Sequence, residues 1–136
     1  MKEQPVALAH KTIVFPHLSI DLSKIKDLSN INWSLAGLMI YHEATAELEV
    51  GIQAKTKDEN GALLEVRGFF ETKDFDPSWE EDVTAVRQIS FGFLFPYLRT
   101  AVSQVFSLAG VPVSPLPIVY VSAAFGNVPL TIQKNG

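Results

Sequence analysis

The sequence has no cysteine, which removes thiol nucleophiles, disulfides, iron–sulfur clusters and the usual structural zinc sites by covalent inventory alone. Basic residues are scarce as well. Eleven Lys and Arg stand against fifteen Asp and Glu, a formal net charge of -4. That is the wrong sign for neutralising phosphates, so neither DNA nor RNA is an expected partner. No apolar run approaches the roughly 18 residues that cross a bilayer. The opening Met1-Lys2-Glu3-Gln4-Pro5 also lacks the basic-then-apolar order of a signal peptide. A soluble, cytoplasmic protein is expected. Catalytic words are missing too: there is no G-x-S-x-G, P-loop or G-x-G-x-x-G. His10, His17 and His42 are scattered over strand-like segments without a carboxylate motif beside them. Glu80-Glu81-Asp82 could pass for paired acids, but acids in the first turn of a helix are explained by its dipole. No enzymatic activity, no metal and no cofactor are expected.

What is present is apolar: 47% of the residues, with only 19% charged. A chain of 136 residues suits one compact domain, and so large an apolar share predicts that some of it faces a partner. From Val6 to Phe15 the pattern is mildly β-like, and Leu18, Ile20 and Leu22 then alternate with Ser19, Asp21 and Ser23. This predicts one interrupted or two short strands. Pro16 cannot donate to a ladder, which places the interruption on a sheet edge or at a bulge. Lys24 to Asn32 is polar and reads as a connection. A second strand is predicted from about Trp33 to His42, where Leu38-Met39-Ile40-Tyr41 is apolar on both faces. The clearest signal is a hairpin. Leu48, Val50, Ile52 and Ala54 alternate with Glu47, Glu49, Gly51 and Gln53 up to a turn at Asp58-Glu59-Asn60-Gly61, and Leu64, Val66, Gly68 and Phe70 return on one face.

The period then changes from 2 to 3.6. Asp76-Pro77-Ser78-Trp79-Glu80-Glu81 predicts a helix start with Asp76 or Ser78 as its cap, and the helical region extends over about 77–109. Pro96 lacks a donor and crowds the preceding turn, so a kink or a break into two helices is expected there. Gly110 supplies the stop. On a helical wheel Leu94, Phe95, Tyr97, Leu98, Ala101, Val102, Val105, Phe106, Leu108 and Ala109 fill about half the circumference, more than one packing surface needs. The helix should pack against two surfaces. The prolines of Val111-Pro112-Val113-Ser114-Pro115-Leu116-Pro117 predict an extended connector, and the segment 111–136 is read as extended, with Ile118 to Phe125 a short strand or a final turn.

The words themselves resemble the SecB export-chaperone family and the smaller SecB-like domains related to it. Leu94-Phe95-Pro96-Tyr97-Leu98-Arg99 looks like the family's first-helix signature, and Arg99, Gly110, Pro112 and Pro115-Leu116-Pro117-Ile118-Val119 fall where that pattern wants them. Lys11-Thr12-Ile13-Val14-Phe15-Pro16 looks like its first strand, and the hairpin from Glu47 to Phe75 resembles its third and fourth. The resemblance implies an α+β fold, a four-stranded antiparallel sheet with a long kinked helix on one face, in subunits paired into a homodimer or homotetramer. It also implies an aromatic groove that takes up unfolded or extended client chains without ATP, and a translocase motor as partner. The family's second, C-terminal helix, which helps form the groove and contacts that motor, is expected to be missing after Phe125. Phe70, Phe75, Trp79, Phe91 and Phe93 are the expected client-binding residues, because they flank the crossover where the family's groove lies. Phe95, Pro96, Tyr97, Arg99 and Gly110 carry the family motif. Two other readings stay open: an adaptor of the same fold with one dedicated partner, and a small-ligand-binding α+β domain, which would need a deep closed pocket with convergent polar groups.

Overall fold

The structure, a computed structural model, describes residues 5–25, 31–57, 61–110, 116 and 119–134. Strand β1 runs over Ala7–Ile20, β2 over Trp33–His42, β3 over Glu47–Thr56 and β4 over Ala62–Lys73. A single turn of 3-10 helix, Leu22–Lys24, follows β1, capped by the Asp21 carboxylate, which accepts from the Ser23 amide. Helix α1 spans Glu80–Leu108, α2 spans Val121–Phe125, and β5 spans Leu130–Gln133. The sheet order is β1-β4-β3-β2-β5, antiparallel except for β2 and β5, which are parallel.

The hairpin follows its alternation. Leu48, Val50, Ile52 and Ala54 on β3 and Leu64, Val66 and Phe70 on β4 all point to one face and are buried under α1. The turn residues 58–60 lie outside the described residues. α1 returns Val83, Val86, Phe91, Leu94, Phe95, Leu98, Ala101, Val102 and Phe106 to that face. Burying each large side chain of this set contributes about 1.5–3 kcal/mol. Gly68 allows the helix to come close: a Cβ there would stand 2.7 Å from Leu94 Cδ2.

Strand β1 is one continuous edge strand with two register irregularities, between His10 and Thr12 and between Val14 and His17. Pro16 sits in the second, as the missing donor requires, and Phe15-Pro16 together oppose a single β4 residue.

Four expectations are corrected. The sheet has five strands, because the segment read as extended contributes β5, and it also contributes the short helix α2. α1 begins at Glu80, not 77: the Asp76 carboxylate takes the Ser78 amide (3.0 Å) and hydroxyl (2.7 Å) into a local turn, and Asp82 reaches back to the Asp76 amide at 2.8 Å. The N-cap is Trp79, with no side-chain cap bond. Of the kink or break expected at Pro96, the break does not occur; α1 runs through as one helix of 29 residues. The packed residues on both sides, Leu94 and Phe95 before and Leu98 and Ala101 after, share one buried face that holds the turn together. It ends where expected, at Gly110, whose φ is +96°. Pro112, Pro115, Pro117 and Ile118 lie outside the described residues, while Leu116 between them is buried.

Candidate functional site

Among the described residues, large apolar side chains stand exposed along α1 and the neighbouring strand β1. Ile89, Phe93, Tyr97 and Leu108 on α1 are exposed, and so are Val14, Phe15 and Leu18 on β1. Phe93 stands at the centre of an aromatic cluster, with ring centres 5.2 Å from His10, 5.4 Å from Tyr97 and 5.8 Å from Phe70. The cluster continues into an open groove of about 430 Å³ between β1 and α1. Phe15, Leu18, Pro96 and Tyr97 form its walls with Ala101 and Val105, and Thr100 and Gln104 are polar residues of its lining. Two devices in the chain make it. The bulge at Phe15-Pro16 sets Phe15 on the helix side of β1, and Pro96, with no amide hydrogen, presents its ring to the groove. Among the described residues no charged side chain lines the groove, so it suits an apolar occupant whose polar backbone stays at the open rim.

The five residues expected at a client surface separate in the structure. Phe93 is exposed. Phe70 touches the same cluster from below but is only 2% exposed, as part of the core. Phe91 is fully buried and stacks on Phe125 at 4.7 Å, with the planes 5° apart. Phe91 and Phe70 therefore serve packing, and the helical period separates Phe91 from Phe93: they differ by about 200° around the axis, so Phe91 enters the core against Phe125 while Phe93 lies at its margin, over His10 and Phe70. Phe75 is half-buried edge-to-face on Tyr41 at 4.9 Å, and Trp79 is half-buried at the start of α1, away from the groove. Ile89, Val14, Phe15, Leu18 and Leu108 are exposed apolar residues that are not among those expected at a client surface. Of the motif residues, Phe95 is buried against Phe125 (6.1 Å), Pro96 and Tyr97 border the groove, and Arg99 is half-buried with its Nε enclosed and unbonded.

The opposite face of the sheet carries a charged cluster. Glu49, 8% exposed, accepts from Arg67 Nη1 and pairs with His42 Nε2 at 2.9 Å, while Arg67 Nε donates to Glu65 at 2.7 Å. Partial burial works against the Arg67 charge, but the hydrogen bonds to Glu65 and Glu49 outweigh it and hold the guanidinium above its usual range. Gly51 lies beneath, where a Cβ would stand 3.2 Å from Arg67 Nε. These hydrogen bonds tie β2, β3 and β4 together on this face.

No family model matches the chain, and no curated protein matches it in sequence. Among solved structures, a SecB-like chaperone of Mycobacterium tuberculosis, in complex with a ChAD peptide from the HigA1 antitoxin, aligns with a TM-score of 0.60. The alignment covers 83% of this chain and 91% of that one at 15% sequence identity. The fold is SecB-like. At that identity the shared property is the arrangement of sheet and helix, and the SecB-like fold here carries its exposed apolar surface along α1 and the neighbouring edge strand β1. Among the described residues no helix is long and apolar enough to cross a membrane.

Proposed function

We propose that this chain is a non-enzymatic holding chaperone that binds extended apolar segments of other polypeptides without ATP, on the Phe93–Tyr97 cluster and the groove beside it. The observation that carries the reading is the continuous uncharged apolar surface on a SecB-like fold. Soluble proteins keep such surfaces small unless something docks on them. An open groove walled by aromatic and aliphatic side chains gives affinity by apolar burial and tolerates many sequences, since little in it demands a particular polar group. The solved SecB-like neighbour, which carries a peptide from an antitoxin, supports the same mode. That peptide also favours the second reading, an adaptor serving one dedicated partner; capture of several unrelated unfolded chains separates the two. The reading stops at holding, and export through a translocase motor is left out of it.

The chain acts, in this reading, as a homodimer or homotetramer. Leu108, 91% exposed near the end of α1, is the apolar residue most in need of a partner's cover. The test of the surface is binding of a fluorescently labelled, permanently unfolded polypeptide by the double variant Phe93→Ser, Tyr97→Ser. At least tenfold weaker binding with an unchanged native mass is expected. Binding equal to that of the unaltered chain would remove these residues from the site.

A further inference from the structure

Strand β5 is unlike the rest of the sheet. It is four residues long, it is the one parallel partner among the described strands, and its Thr131, Ile132 and Gln133 are exposed, Ile132 at 40%. Only Leu130 packs against the core. The segment is anchored just upstream. The Val128 side chain lies over Gly37, where a Cβ would be 2.7 Å away, and the Val128 carbonyl accepts from Arg87 Nε at 3.0 Å. Pro129, which has no amide hydrogen, stands between this anchor and the strand. Strand β2 underneath depends little on β5, since its ladder with β3 covers all ten residues from Trp33 to His42.

We propose that β5 is a releasable strand: it occupies the edge of β2 within the chain and gives way there to an extended segment of the polypeptide being held. The inference rests on the holding reading above. Ordering a residue's backbone costs about 1–2 kcal/mol, and a short parallel ladder with three exposed residues recovers little of it. β5 therefore opens more readily than β2, β3 or β4, pivoting at Val128-Pro129. Its departure leaves N–H and C=O groups of Met39–His42 without partners, which an added strand supplies. β5 also shows what the replacement needs: apolar residues at alternate positions, as in Leu130 and Ile132, and no proline at the paired positions.

Because the chain has no cysteine, the test can be made with an engineered pair. Ile40 and Thr131 are registered neighbours, so Ile40→Cys, Thr131→Cys places two thiols within disulfide reach across β2 and β5. The probe is a fluorescein-labelled synthetic peptide alternating Leu and Thr, its binding followed by anisotropy with and without reductant. The oxidised form is expected to bind at least tenfold more weakly than the same protein reduced. The single variant Thr131→Pro, which removes a ladder donor, is expected to bind about tenfold more tightly than the unaltered chain, as release from a closed state favoured about 10 to 1 gives. Equal binding by oxidised and reduced forms overturns the role of β5 and leaves the holding reading standing. Failure of every form to bind the peptide or any unfolded chain overturns the holding reading and this one with it.

Discussion

Phe91 and Phe93 are two residues apart on α1 and have opposite consequences. Phe91 fills the space between the sheet and Phe125, where a truncation leaves a cavity the stacked ring cannot close. Phe91→Ala is expected to cost about 3–5 kcal/mol of stability, the range for emptying a buried aromatic site. Phe93→Ala is expected to cost about 1 kcal/mol or less, as an exposed residue with a few ring contacts. Urea unfolding of the two variants checks this; equal losses would mean that Phe93 belongs to the core as well. This distinction was partly legible in the sequence. The 3.6 period puts Phe91 with Leu94, Leu98 and Val102 and puts Phe93 with Tyr97, but the aromatic count alone treats both as one surface. What no local pattern contains is the ring of Phe125, 34 positions after Phe91, that buries it.

At the scale of elements, the β3–β4 hairpin and the body of α1 could be read because each repeats its period over ten residues or more, and β2 because its Leu38-Met39-Ile40-Tyr41 run is apolar on both faces, so tertiary packing agrees with local pattern. α2 and β5 could not. α2 has five residues and no side-chain cap, and β5 has two apolar residues in four and a partner some ninety positions away, a contact that composition does not announce. The start of α1 was misplaced because Asp76 and Ser78 bond each other in a turn that competes with helix. Of the kink or break that Pro96 allows, the break does not occur: its local cost is real, yet the buried face on both sides carries the helix through. Pro96→Ala should therefore raise stability by about 1–3 kcal/mol, part of what an interior proline costs. The check is the urea midpoint at unchanged m-value. A lower midpoint would show instead that the proline ring's packing in the groove outweighs the lost hydrogen bond.

Among the described residues the molecule is a sheet covered on one face by α1 and the short α2, and α1 has a buried side while Ile89, Phe93, Tyr97 and Leu108 stand exposed among the polar residues outside it. In the structure, Leu94, Phe95, Leu98, Ala101, Val102 and Phe106 account for the first half of the wide arc seen in the sequence, and Tyr97 and Leu108 remain outside. The account assigns that remainder to other chains, a client along Phe93, Tyr97 and the groove, and a second copy towards Leu108. The most direct measurement is light scattering as a chemically unfolded test protein is diluted into increasing amounts of this chain without nucleotide, with the native mass determined in parallel. The account predicts suppression of aggregation at near-stoichiometric ratios by a dimer or tetramer. Undiminished aggregation at severalfold excess of the folded, assembled chain would contradict it.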